Sequence, residues 1–361
     1  MTVGIGLTFQ TVVATRYSLT TLRTKTIPVP VAPVTGAFDP YNNTLVVDGP
    51  LPSHPKGGWF VATVSTSTGR VLAKVPAPSS IAFLAVDSRL GIVSIATGKA
   101  VMLINSDGRL IRRIATASTG GIVVDPSLQR IFLAAGSHLL VFNAKTGFYI
   151  TSIDAPFGEF LALNKANNKI LDLSGNRLVI INAVSNRVIS TIRVSTTGTA
   201  MAVDGNRNLV LLPRFNEQAS FYGEPSADQL VELSATTGRV DRVINTPNFN
   251  DPIGCIDVFP TLQNVVICGP NSGVVIDLNS GKVSQRLPQG SALAADPGNG
   301  TVFWSESTPA RVLAIRLGSS ALQRSSIIPG TLVIAIGGLL IVASIVSGLV
   351  FKRGHARDHA A

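Results

Sequence analysis

The chain has 361 residues, with 30 Lys and Arg against 20 Asp and Glu for a formal charge of +10, and 33 glycines, 21 prolines and two cysteines. Abundant Gly, Pro, Val, Ile and Thr with few charges describes many short strands joined by tight turns, and no segment before the C-terminal region reads as a helix. Two thiols and scattered histidines exclude a structural-zinc ligand set, and basic residues without interleaved aromatics, Arg112-Arg113 being the one adjacent pair before the C-terminal region, exclude a linear nucleic-acid site.

Met1 to Ala14 is apolar with no basic start, and Val12 and Ala14 fit the small-residue pattern of a cleavage site. Residues 1–14 read either as the remnant of an export signal that starts upstream or as an edge strand. Arg16 to Val29 then holds two strand-like runs, Tyr17 to Thr21 and Thr24 to Val29.

From there to about residue 320 one unit repeats. Thr68-Gly69-Arg70, Asp107-Gly108-Arg109, Thr146-Gly147-Phe148 and Ser185-Asn186-Arg187 place a turn residue every 39 positions, and Thr237-Gly238-Arg239 and Ser280-Gly281-Lys282 continue the chemistry out of register. A period near 40 means blades or solenoid turns. The third unit is the plainest: strands Gly121–Val124, Arg130–Ala134, His138–Phe142 and Tyr149–Ile153, with the corner Asp125-Pro126-Ser127-Leu128-Gln129 between the first two. Pro after Asp presets φ, and the acid can accept from the turn's own amides. The corner recurs as Asp39-Pro40, Asp87-Ser88, Asn164-Lys165, Asp204-Gly205 and Asp296-Pro297, with Phe259-Pro260 in unit six. These aspartates are therefore turn residues before they are catalysts. Seven such units, each burying its face on its neighbours, predict one closed ring. Its clasp is expected from the N-terminal strand pairing into the last unit, the competitor being Leu322 to Ile328.

The corner, the Asp-x-x-Thr-Gly-like turn and the Thr-Ile-x-Val-like strand after it resemble the NHL and YVTN-type β-propeller families over roughly residues 15–322. The resemblance implies an all-β, seven-bladed β-propeller; such propellers serve as binding scaffolds, cell-surface proteins, lactonases and parts of dehydrogenases, so it carries architecture and no catalytic residue. Asn182-Ala183 departs from the acidic pattern in unit four, and no unit carries a full Tyr-Val-Thr-Asn run.

Function is expected where the repeat is broken. Unit one is extended around Gly49 to Gly58 and unit five around Pro213 to Glu224, both between second and third strands, on the face opposite the repeated turns. His54, Lys56 and Trp59 in the first extension and Arg214, Phe215, Phe221, Tyr222 and Glu224 in the second are the candidate binding residues for a protein or glycan partner, because aromatic anchors beside an Arg suit such a surface. No cofactor or metal is expected. Cys255 and Cys268 flank the corner of unit six on neighbouring strands; twelve intervening residues permit a cross-strand disulfide and equally permit two buried thiols. An enzyme would have to find its chemistry elsewhere. His54 and His138 are the histidines before the C-terminal segment, no nucleophile elbow or phosphate loop occurs, and a lactonase-type site at the channel mouth could draw on Glu159, Asp251 and Glu306. Asn42 and Asn299 match glycosylation acceptors but fall in corners that want Asn for geometry.

After a short stalk at 323–326, Ile327 to Phe351 runs 25 residues without a charge. That length spans a bilayer as a single transmembrane helix. Lys352, Arg353 and Arg357 behind it, against Arg324 before it, place the tail 352–361 in the cytoplasm and the propeller outside. Ser344 and Gly348, or Ala343 and Ser347, offer a small-residue seam for a dimer. The whole reads as a single-pass cell-membrane protein whose outward propeller is a non-catalytic protein- or glycan-binding or assembly module. The alternatives are a lactonase-type hydrolase and, for topology, a tail-anchored protein facing the cytoplasm.

Overall fold

Runs of Val, Ile and Leu bounded by Asp- and Gly-containing turns form strands, and here they form seven four-stranded antiparallel sheets. In the computed structural model the described residues are 23–318 without 52–53, 78–80, 99, 117–118, 155–157, 159, 195–199, 215–228, 248–252, 270–271 and 308–309, together with 334–336 and 339–341; of 54–57, 81–82, 307, 310, 334–336 and 339–341 the backbone alone is described. The inner strands are Thr35–Asp39, Ile81–Asp87, Ile122–Asp125, Phe160–Asn164, Ala202–Asp204, Cys255–Phe259 and Ser291–Asp296. Each packs on the next around a central channel, and Ser291–Asp296 returns to Thr35–Asp39, so the sheets are the blades of a closed seven-bladed β-propeller.

Every corner between first and second strands ends on one residue with positive φ: Asn43, Gly91, Gln129, Asn168, Asn208, Gln263 and Gly300. The expected turn role of the corner acids holds. Asp39, Asp87, Asp125 and Asp204 are buried, and each accepts from two backbone N–H groups of its own turn, as Asp125 does from Ser127 and Leu128 at 2.9 and 3.2 Å. In blade 6 buried Phe259 fills the place by packing alone.

The turns from third to fourth strand hold the 39-residue marks, with φ between 55° and 78° at Gly69, Gly108, Gly147, Asn186, Gly238 and Gly281, and a bulge in the ladder beside each of them. Backbone conformation is half of what selects glycine there. The outer strand of the preceding blade lies against the turn, so an added Cβ would stand 2.2 Å from Ile192 at Gly238, 2.5 Å from Ala73 at Gly108 and 2.7 Å from Arg112 at Gly147. Cations on those outer strands complete the joint: Arg112 donates to Thr146 O, Arg242 to Leu278 O and Asn279 O, and Lys25 to Thr66 O and Ser67 O. Gly238→Ala is thus expected to cost about 2 kcal/mol or more, left-handed strain plus the Ile192 clash, whereas Asn186→Gly should change stability by under about 0.5 kcal/mol. Urea unfolding of the two variants checks this; equal effects would mean that φ alone selects the residue.

The last blade is completed by Arg23–Pro28, antiparallel to Ala310–Arg316 from Arg23↔Arg316 to Pro28↔Arg311. This is the expected N-terminal clasp; the run at 17–21 lies outside the described residues. Ile27 is fully buried among Leu45, Val47 and Val64 of blade 1 and Phe303 and Val312 of blade 7, so one side chain welds first blade to last. Corners and third-to-fourth turns emerge on one face of the ring, the turn face. Second-to-third and blade-to-blade connections emerge on the other, the loop face.

Two expectations change. The extension of unit one is mostly not a loop: strands Thr44–Leu51 and His54–Ser65 carry the ladder outward as a long hairpin through Pro50↔Trp59 and Leu51↔His54. Residues 321–361 form a separate unit, in which Ile334–Ile336 and Leu339–Ile341 pair antiparallel. The helix expected over 327–351 is therefore not shown. Apart from those six residues it lies outside the described ones, as do the stalk at 323–326, the tail at 352–361 and residues 1–14, and among the described residues no helix is long and apolar enough to cross a membrane.

Candidate functional site at the channel mouth

Inner strands run from the loop face to the turn face, so their first residues ring the channel mouth on the loop side. Three of them, Thr35, Cys255 and Ser291, border a cavity of about 490 Å³ spanning blades 6, 7 and 1, with Gly254, Gly269 and Ala292 completing much of its wall. The wall is methyl groups, sulfur, peptide and two hydroxyls. Ser291 Oγ lies 3.0 Å from Ser305 Oγ, which fixes it between strands.

Cys255 and Cys268 face each other across the ladder and are joined by a disulfide, which decides between the two readings the sequence left open. Cys268 is buried and Cys255 partly accessible, so the bridge forms part of the cavity wall. Two residues farther along the inner strand stands Asp257. Its neighbours Ile256 and Val258 turn to the apolar cluster shared with blade 5, whereas Cys255 and Phe259 join the cluster shared with blade 7, so Asp257 faces the blade 7 side at the channel. Burial pushes its carboxyl up to about 7, yet solvent still reaches it, as expected of a group in a narrow channel. At the same place the other inner strands carry Ala37, Ala85, Val123, Ala162, Ala202 and Ala294, which makes Asp257 the one charged side chain on an inner strand ahead of the corner.

Asp48 supports the mouth from behind. It is fully buried on the second strand of blade 1 and accepts from Thr35 N at 2.8 Å; burial raises its carboxyl to about 7 against the pull of that N–H. Ala32 N and Val34 N donate to Pro50 O and Asp48 O, so the segment leading into the first inner strand is held at three points.

The residues singled out from sequence are only partly brought together. Trp59 is half-buried in the ladder of the long hairpin, between Pro50 and Ala77, and so is a wall residue of blade 1. His54 and Lys56 lie in the same strand with their side chains outside the described residues. Arg214 ends the second strand of blade 5, exposed on the loop face; Phe215, Phe221, Tyr222 and Glu224 lie outside the described residues. Of the three carboxylates weighed for hydrolysis, Glu306 forms an ion pair with Arg311, and Glu159 and Asp251 lie outside the described residues. His138 is at the surface as expected, 3.3 Å from Asp154. Among the described residues no three His, Cys, Asp or Glu side chains gather as a metal site. Asp257 was missed, though comparing the same place across the seven units would have found it.

No family model matches the chain, and no curated protein matches it. Solved structures do. Kuenenia stuttgartiensis hydrazine synthase superposes with a TM-score of 0.67 at 12% identity, covering 81% of this chain and 97% of that one. The Cps50 (Swd1) β-propeller domain of Myceliophteria thermophila superposes with a TM-score of 0.65 at 11% identity, covering 81% and 98%. At these identities the likeness is one of fold alone, and it agrees with the seven-bladed ring.

Proposed function

We propose that the chain is a membrane-anchored propeller of NHL/YVTN type, held outside the cytoplasm, that works as a non-catalytic binding or assembly module for a protein or glycan. The observation that carries this reading is the 25-residue uncharged run from Ile327 to Phe351, which follows a ring already closed by its N-terminal strand and so has no place in any blade. A run of that length and composition suits a bilayer. The Cys255–Cys268 bridge suits an oxidising compartment, and the basic residues behind the run favour a cytoplasmic tail. The contact surface in this reading is the loop face, where Arg214 and the channel-mouth cavity belong. A hydrolase reading, first weighed on Glu159, Asp251 and Glu306, would now start from Asp257, and among the described residues no second acid or base stands beside it at the channel.

Protease treatment of intact cells carrying a C-terminal tag tests the topology. The propeller is expected to be digested while the tag survives, and the undigested chain should migrate differently with and without reductant. A ring protected until lysis would replace this reading with a tail-anchored protein facing the cytoplasm.

A further inference from the structure

Along the chain the basic residues are evenly spread, but the repeat gathers them in space. The residue after five of the six left-handed turn positions is a cation, Arg70, Arg109, Arg187, Arg239 or Lys282, and Phe148 follows the sixth; all five cations are exposed on the rim of the turn face, and Arg89, Lys145 and Lys165 lie exposed on the same face. Most of the carboxylates there are buried, whereas the cations stand in solvent. The corner aspartates are turned inward onto backbone amides, which leaves Asp107 and Asp277 beside the turns and Asp241 paired with Arg239 at 3.5 Å. Apolar side chains share the rim. Tyr41 is 77% exposed, Phe148 60% and Tyr149 58%, and Leu110, Ile111, Val188 and Ile189 open the outer strands of blades 2 and 4. Arg112 stacks over the Phe148 ring at 4.2 Å, which fixes that ring at the face.

The chain leaves the ring on this same side. Leu317 N donates to Gly300 O and Asn264 donates to Gly318 O, so the last described residues of the ring are pinned to the corners of blades 7 and 6. Eight residues separate Gly318 from Ile327, about 28 Å at full extension.

We propose that the turn face docks on anionic lipid headgroups, with the rim cations meeting phosphates and Tyr41, Phe148 and Tyr149 entering the interface, while the loop face is left free for a partner. The tether half of the argument rests on the membrane anchor proposed above; the charge and the exposed rings stand without it. Amphipathic aromatics among cations are what an interfacial surface requires, and a short tether raises the local lipid concentration so that modest contacts suffice.

The test uses the full chain with Phe148→Trp, which keeps a ring under Arg112, and separately with His138→Trp at the loop-face end of the same blade. Each is placed with discs of brominated phosphatidylglycerol mixed with phosphatidylcholine, or of brominated phosphatidylcholine alone. Bromine should quench the tryptophan of Phe148→Trp in the anionic discs and leave that of His138→Trp unaffected. Adding R109E, R187E and R239E should shift docking by on the order of a hundredfold, and high salt should do the same without any substitution. Quenching of Phe148→Trp no greater than that of His138→Trp, or equal in both lipids, overturns the proposal. Carbonate extraction of the same membranes reads the anchor separately. A chain that is extracted yet quenched keeps the docking face and loses the anchor, and one that resists extraction unquenched does the reverse.

Discussion

Ile27→Asp is expected to open the ring, with a loss of about 4 kcal/mol or more in urea unfolding and a rise in light scattering under conditions where the parent chain is monodisperse. Ile27 is fully buried between blades 7 and 1 and is surrounded by apolar side chains, so a carboxylate there would be both a cavity and an unpaired charge. Among the described residues its strand is also the one that covers the edge of Ala310–Arg316, and a released edge pairs with other chains. Lys25→Ala in the same strand separates strand pairing from burial. It deletes two side-chain bonds to Thr66 O and Ser67 O at an exposed position and should cost no more than about 1.5 kcal/mol. Similar losses for the two variants would mean that the ring does not depend on its clasp.

The clasp was legible because the last unit counted one strand short while the N-terminal segment held a strand with no partner. The corners were legible for a similar reason: Asp-Pro and Asn-Asn pairs state their turn chemistry locally. What the turn glycines do between blades was not legible. Their contact with the preceding outer strand joins residues 35 to 46 positions apart, from Ala73 and Gly108 to Ile192 and Gly238, and periodicity shows recurrence without showing what touches. The charge shows the limit most clearly. Basic residues spread over every unit look diffuse in the sequence, and it is the repeated turn that brings Arg70, Arg109, Arg187, Arg239 and Lys282 onto one face. Asp257 is the converse, a single departure that stands out only after the units are aligned strand by strand. The long hairpin of blade 1 escaped notice because Pro50, Pro52 and Pro55 read as loop, and prolines are tolerated in a ladder's outer extension.

The three raised aspartates make a second large effect measurable, and its sign runs against the usual acid lability. Asp48, Asp172 and Asp257 sit near 7 in the folded chain against an ordinary 3.8, in each case because burial disfavours the charged form. Between those values the folded state holds protons that the unfolded state has released. Their contribution is therefore fully present below about pH 4 and is lost as pH rises through 7, by about 4 kcal/mol per fully buried group. Other carboxylates titrate over the same window, so the useful quantity is a difference. Asp172 is the cleanest position, fully buried with both carboxylate oxygens 3.1 Å from Gly158 N, and Asp172→Asn keeps an acceptor for that N–H while removing the charge. Relative to the parent chain, Asp172→Asn should gain stability from pH 4 to about 7 and level off above it, and Asp48→Asn should do the same while its remaining oxygen holds Thr35 N. Asp257→Asn should gain less, since solvent reaches that carboxyl and screens its charge. Urea midpoints across that range read all three, and difference curves that stay flat would show that these carboxyls ionise in the folded chain as they do in water. A curve that rises for Asp172 and Asp48 but not for Asp257 would place the last in an open, hydrated channel, where its charge is available to a cationic ligand entering from the loop face.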